Sequence, residues 1–178
     1  KNPIPFSTIN FLKASEQPLH SDYLHFGSIP DGYLVGVWVA LEDVHHDAGP
    51  LLIAKGSNAD PYFSLEKLNL SIPTSLEELK TNNTKYEEYL QKRIQFMNYE
   101  VIEATITKGS VLLWQANVFH GSKKIKNQNL TRKSQVTHYQ FEGTKHYNPN
   151  YSLPTQNKYA YRDLSKFDIR NKNNYEEG

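Results

Sequence analysis

The sequence predicts a mainly β domain, a jelly-roll barrel carrying one helical insertion around residues 75–97. Aromatic and β-branched residues dominate its middle. Short apolar runs are separated by Gly-, Pro- and Asn-rich turns, as in all-β sandwiches and barrels. Only one stretch changes to the three- and four-residue spacing of a helix. At 178 residues the chain fits one domain with a proper core.

Tyr33–Leu41 (YLVGVWVAL) is a near-continuous apolar run and reads as a strand buried on both faces. The polar stretch DVHHDAGP follows as a turn, and LLIAKGS (51–57) as the returning strand of a hairpin. Ser75 and Glu78 fit a capping box, and Tyr86, Tyr89, Leu90, Arg93 and Met97 then recur at helical steps. One or two helices are expected here, with Asn82-Asn83 as the place for a break. Strands resume at 101–106 and 110–116, and NVFHGS (117–122) continues the latter after a kink. In 134–142, Val136, His138 and Gln140 point one way and Thr137, Tyr139 and Phe141 the other. The domain core is expected to span 1–143. Residues 144–178 are expected as an irregular C-terminal extension with a frayed end.

A net charge of +1 offers no field that would gather nucleic acid or an anionic membrane. Lys123, Lys124 and Lys126 read as a solvated loop. No apolar run reaches the roughly 18 residues of a membrane span. The absence of cysteine removes disulfides, thiolate ligands and cysteine nucleophiles. It agrees with a reducing compartment, and a cytoplasmic protein is expected.

Chemistry is carried by a few residues. His20 and Asp22 stand two positions apart in HSD; on a strand they would share one face and aim an imidazole and a carboxylate at one point. Two solvent-facing polar residues explain the pair equally well. His120, after the apolar strand in VLLWQANVFHGS, is a third ligand or a core His bonded to a carbonyl. Two His and one carboxylate make the facial triad of non-haem Fe(II) oxygenases, with three positions open. Arg132 reads as a surface ion pair, or as an inward guanidinium that needs an anion such as a dicarboxylate.

These residues lie in TINFLKASEQPLHSD, GVWVALEDVHHDAGPLLIAKGS, KGSVLLWQANVFHGS and TRKSQVTHYQFEG, four blocks in one order across residues 8–143. Together they resemble the phytanoyl-CoA dioxygenase family of Fe(II)/2-oxoglutarate-dependent oxygenases, which implies a double-stranded β-helix. The resemblance implies that His20, Asp22 and His120 bind Fe(II). It implies that Arg132 and Ser122 hold the distal carboxylate of 2-oxoglutarate, with Trp38 lining that pocket. O2 is then the second cosubstrate, a small organic molecule is the substrate, and succinate and CO2 are released. Related halogenases carry a small residue where Asp22 stands, so hydroxylation or another oxidation is favoured. The family usually has His where Asn58 follows AKGS, and a longer region before the triad, so an N-terminal part is expected to be missing.

The alternatives are a non-redox, cupin-like metal-binding jelly roll and a catalytically inactive relative. A cupin would bring an H-x-H pair, which is absent. Among the other histidines, His45 and His46 are read as surface residues. His25 is out of phase with the triad, and His138 is read as a hydrogen-bonded core residue, with pocket lining as the alternative. The 58–98 insertion is expected as a lid.

Overall fold

A computed structural model describes residues 1–163. Ten strands and one long helix are formed among them: β1 Pro3–Phe11, β2 Gly27–Ile29, β3 Leu34–Ala40, β4 Leu51–Ala54, α1 Leu76–Met97, β5 Val101–Ala104, β6 Val111–Gln115, β7 His120–Ser122, β8 Ser134–Phe141, β9 Lys145–Tyr147 and β10 Tyr161–Arg162. They assemble into three antiparallel sheets, ordered β1-β8-β3-β6, β5-β4-β7 and β10-β9-β2. The expected mainly β fold is the observed one. The frayed end foreseen for the tail lies outside the described residues.

Alternation places the sheet faces. Along β8, Val136, His138 and Gln140 are buried on one face, as the pattern required. On β3, Leu34, Gly36, Trp38 and Ala40 are buried, while Val35, Val37 and Val39 are only half-buried. The run is therefore buried on one face, not both. Trp38, Trp114 and Val136 from the four-stranded sheet pack with Leu51 and Ala104 from the second sheet. That cluster joins the two layers.

The expected hairpin of β3 and β4 does not form. β3 pairs with β6 and β8, whereas β4 pairs with β5 and β7. The DVHHDAGP turn is a crossover between sheets, not a hairpin loop. The same happens after β6: the chain leaves the first sheet at Gln115 and enters the second at His120. β1, which alternation in PIPFSTINF could have indicated, was not expected. It lies at the edge of the four-stranded sheet against β8.

α1 is a single unbroken helix of 22 residues. Ser75 caps it by accepting the Glu78 N–H at 3.1 Å, and the Glu78 carboxylate accepts from Thr74 N–H and Oγ at 2.6 and 2.9 Å. Asn82 does not break the helix because its side chain faces inward and donates to the Ser71 carbonyl at 2.8 Å. Tyr86, Leu90 and Ile94, four apart, bury one stripe against Leu24, Phe63, Leu65 and Phe119. Arg93 adds a fork to Asp60, with bonds of 3.0 and 2.6 Å.

Two outcomes follow. Leu90 is fully buried, so Leu90→Ala should lower unfolding stability by about 2–5 kcal/mol in urea titration. Phe96→Ala, on the exposed face, should change it by less than about 0.5 kcal/mol. On β9, burial pushes the His146 imidazole from its ordinary 6.5 down to about 4, and the Arg162 guanidinium adds to this. Unfolded His146 therefore takes a proton at a higher pH than folded His146. Stability is fully present above about pH 6.5 and declines as pH falls toward 4. His146→Gln should flatten the fall across that window; an unchanged pH dependence of urea midpoints would count against this origin.

Candidate metal centre

His20 and His120 are brought together by backbone, before any side chain acts. The two residues form an isolated antiparallel bridge: His20 N–H donates to the His120 carbonyl at 2.8 Å, and His120 N–H returns the bond at 2.9 Å. Such a pair puts both side chains on the same face. Their ring centroids are 4.6 Å apart. Gly121 makes the approach feasible. A Cβ there would sit 2.8 Å from the Gln17 and Pro18 carbonyl oxygens. Ser122 N–H bonds the Gln17 carbonyl at 2.8 Å, locking the segment down.

Asp22 arrives differently from the strand geometry expected of H-x-D. Ser21 caps a short 3-10 turn, Asp22–Leu24, and Asp22 is its first residue. The turn, not strand alternation, swings the carboxylate under the two rings. Asp22 Oδ1 lies 3.9 Å from His20 Nε2 and 3.6 Å from His120 Nε2. One donor atom from each of the three residues fits within 4.8 Å of the others.

Each imidazole has its orientation set by a backbone carbonyl. His20 Nδ1 bonds Pro18 O at 2.9 Å, and His120 Nδ1 bonds Val118 O at 3.0 Å. A carbonyl only accepts, so each Nδ1 carries a proton and Nε2 is the nitrogen turned toward Asp22. Burial lowers the His120 pKa and favours the neutral ring. Burial alone would raise that of Asp22. The field of His120 and hydrogen bonds from His138 and Trp114 outweigh it, and hold the carboxyl well below the usual carboxylate range. A neutral His120 ring and an ionised Asp22 carboxylate are the forms in which these two groups bind a divalent cation. This donor set fits a metal ion.

A cavity of about 260 Å³ opens on the three side chains and reaches Trp38 and Arg132. Arg132 is almost completely buried. Its Nη1 donates to the Gly49 carbonyl at 2.8 Å and to Ser122 Oγ at 3.1 Å, while its Nε has no acceptor. Burial lowers its pKa to about 10, and among the described residues no carboxylate faces it to oppose this. Trp38 lies 5.8 Å from the guanidinium, and its Nε1 also lacks an acceptor. A buried cation with only neutral partners fits an anionic ligand.

The six residues singled out in the sequence thus surround or adjoin one cavity. His138 is buried with Nε2 3.3 Å from Asp22 Oδ2, and His25 lines the cavity despite its odd offset. Trp114, which had drawn no attention, bonds Asp22 directly at 2.8 Å. His45 and His46 are exposed as expected; they stack on each other beside Asp47. No residue of 58–98 lines this cavity, while Tyr86 and Glu87 of α1 line an adjoining pocket together with His20 and His25.

A mainly β jelly roll with two imidazoles and one carboxylate converging on an internal cavity has the layout of non-haem iron proteins. The chain belongs to the phytanoyl-CoA dioxygenase (PhyH) family, whose profile matches residues 3–134. No curated protein matches the sequence. Among solved structures it is similar to the non-haem alpha-ketoglutarate-dependent epimerase SnoN from nogalamycin biosynthesis, at 17% identity and a TM-score of 0.57, covering 92% of this chain and 54% of that one. The carbocyclase SnoK of the same biosynthesis gives 15% identity and 0.57, over 80% and 53%. EctD from S. alaskensis, with bound Fe, gives 19% and 0.52, over 79% and 45%. The chain spans about half the length of these proteins. At these identities the likeness is one of fold. Among the described residues, no helix is long and apolar enough to cross a membrane.

Gly121→Ala tests the bridge. The new methyl meets backbone, which cannot swing away, so stability should fall by about 1–3 kcal/mol in urea titration.

Proposed function

We propose that the chain is the barrel of an Fe(II)/2-oxoglutarate-dependent dioxygenase that hydroxylates a small organic substrate. The observation that carries this reading is the buried, acid-free Arg132 on the same cavity as His20, Asp22 and His120. A cation at one end and a metal-type donor set at the other match a ligand with two acidic ends. Family membership and the fold of the iron proteins above support the same reading. The reading takes residues 1–143 as the oxygenase core and the chain from 144 as its extension.

His20, Asp22 and His120 would hold Fe(II) through Nε2, Oδ1 and Nε2. Arg132 and Ser122 would hold the distal carboxylate of 2-oxoglutarate, with Trp38 as the wall beside it. When bound, iron and 2-oxoglutarate supply O2 activation, with succinate and CO2 as products of the cosubstrate and one oxygen atom delivered to a substrate C–H bond. The protein's share is orientation and exclusion of water. The backbone bridge fixes the two rings, and Trp38, Leu51 and Val136 keep the inner wall apolar. Asp22 keeps a protein oxygen in the position that halide would need, which favours oxygenation over halogenation.

Anaerobic Fe(II) with 2-oxoglutarate should give the visible charge-transfer band of a keto acid chelated on iron. Asp22→Ala should abolish the band. Arg132→Ala should leave Fe(II) binding intact and weaken 2-oxoglutarate by roughly 30-fold or more, since removing one side of a buried charge contact costs about 2–5 kcal/mol. Unchanged 2-oxoglutarate affinity in that variant would sink the assignment of Arg132.

A further inference from the structure

Trp114 touches two of the three metal-facing side chains at once. Its indole Nε1 donates to Asp22 Oδ2 at 2.8 Å. Its ring lies over His120, with centroids 4.4 Å apart and planes tilted by 37°. The two contacted residues come from segments about a hundred positions apart, and β6 supplies the side chain that braces both.

The carboxylate chemistry gives this contact a consequence. Asp22 has two equivalent oxygens, and a free carboxylate can turn or take a cation through both. Here Oδ2 is occupied by Trp114 from one side and by His138 Nε2, 3.3 Å away, from another. Oδ1 is the oxygen that faces His20 and His120. An acceptor already held by two ring nitrogens is a poor second tooth for a metal. Two imidazoles and one oxygen occupy three positions, whereas a two-oxygen Asp22 would occupy a fourth.

β3 is built to admit this ring. Gly36 sits directly opposite Trp114 in the β3–β6 register. A Cβ at Gly36 would lie 2.7 Å from both Cε2 and Nε1 of the indole. No positive φ applies at Gly36, so the glycine serves space rather than backbone conformation. Any side chain there would push the indole off the line to Asp22.

We propose that Trp114 is a positioning residue: it holds Asp22 as a single-oxygen ligand and sets the ring plane of His120, with Gly36 as the cradle that lets it do so. The inference rests on the iron reading above and deepens it.

Co(II) bound to the full chain in the absence of cosubstrate is the probe, read by its visible d–d spectrum and by titration. Trp114→Phe keeps a ring over His120 and removes the N–H. It should weaken Co(II) about 10–100-fold, the usual range for losing a partner of a metal ligand, and should change the d–d spectrum. Gly36→Ala should produce the same change in the native background and little further change in Trp114→Phe, where the smaller ring leaves room. Replacing Trp114 with its benzothiophene isostere, sulfur in place of N–H, keeps volume and fold and should reproduce the Co(II) effect. A folded isostere protein with native Co(II) affinity and spectrum overturns the proposal, as does a Gly36→Ala effect of equal size in both backgrounds. Native protein that fails to bind Co(II), or Asp22→Ala that binds it as native does, overturns the metal reading itself and this inference with it.

Discussion

The pair of backbone hydrogen bonds between His20 and His120 is the constraint on which the site depends. It lies outside the regular strands, between the loop that precedes the first 3-10 turn and the start of β7. Two bonds of 2.8 and 2.9 Å place the imidazoles side by side, and carbonyls of Pro18 and Val118 then set which nitrogen faces inward. Each ring takes its orientation from a carbonyl two residues before it. The repeated local geometry means that a short stretch of main chain fixes both position and tautomer. Gly121 is the residue that lets the two stretches meet.

Two buried charges occupy the same cavity, and the protein treats them differently. Asp22 Oδ2 accepts from Trp114 Nε1 and faces His138 Nε2 at 3.3 Å. Arg132 has a carbonyl and a hydroxyl, neither of which carries charge. Desolvating a guanidinium against neutral acceptors costs free energy that the fold does not recover by itself. The Asp22 carboxylate therefore has ring N–H donors within the protein, whereas the partners described for Arg132 are a carbonyl and a hydroxyl. That asymmetry distinguishes this cavity from an ordinary polar core network, where both charges would be paired with each other.

Much of the fold was legible, and the limits have physical causes. Period-two alternation located β8, and capping chemistry located α1, because both signals are local. Which sheet a strand joins is not local: YLVGVWVAL and LLIAKGS look like a hairpin, yet the intervening turn crosses between layers. The residues that meet at the candidate site stood out by type and order, but the reason offered for H-x-D was wrong, since a 3-10 turn rather than a strand delivers Asp22. Trp114 was missed because a Trp on a strand reads as filler, and only its 2.8 Å bond to Asp22 says otherwise. The glycine opposite it, lone within LVGVWVA, was the one available hint. A glycine inside a strand marks a close approach, and the approach is that of the indole.

The helical insertion shows how far a scaffold element reaches into the site without lining it. α1 contributes nothing to the wall of the cavity, yet Gln91 donates to the Leu19 carbonyl at 2.7 Å, one residue before His20. The Tyr86 hydroxyl bonds Ser21, between His20 and Asp22, and Ser21 Oγ in turn donates to the Ala116 carbonyl at 2.8 Å. Leu24, which ends the 3-10 turn, is buried against Tyr86 and Leu90. The helix thus grips the Leu19–Leu24 segment at three points, Leu19, Ser21 and Leu24. A lid would have to move for substrate to enter. A segment that buries its apolar stripe and holds the main chain beside His20 and Asp22 cannot do so without disturbing their geometry.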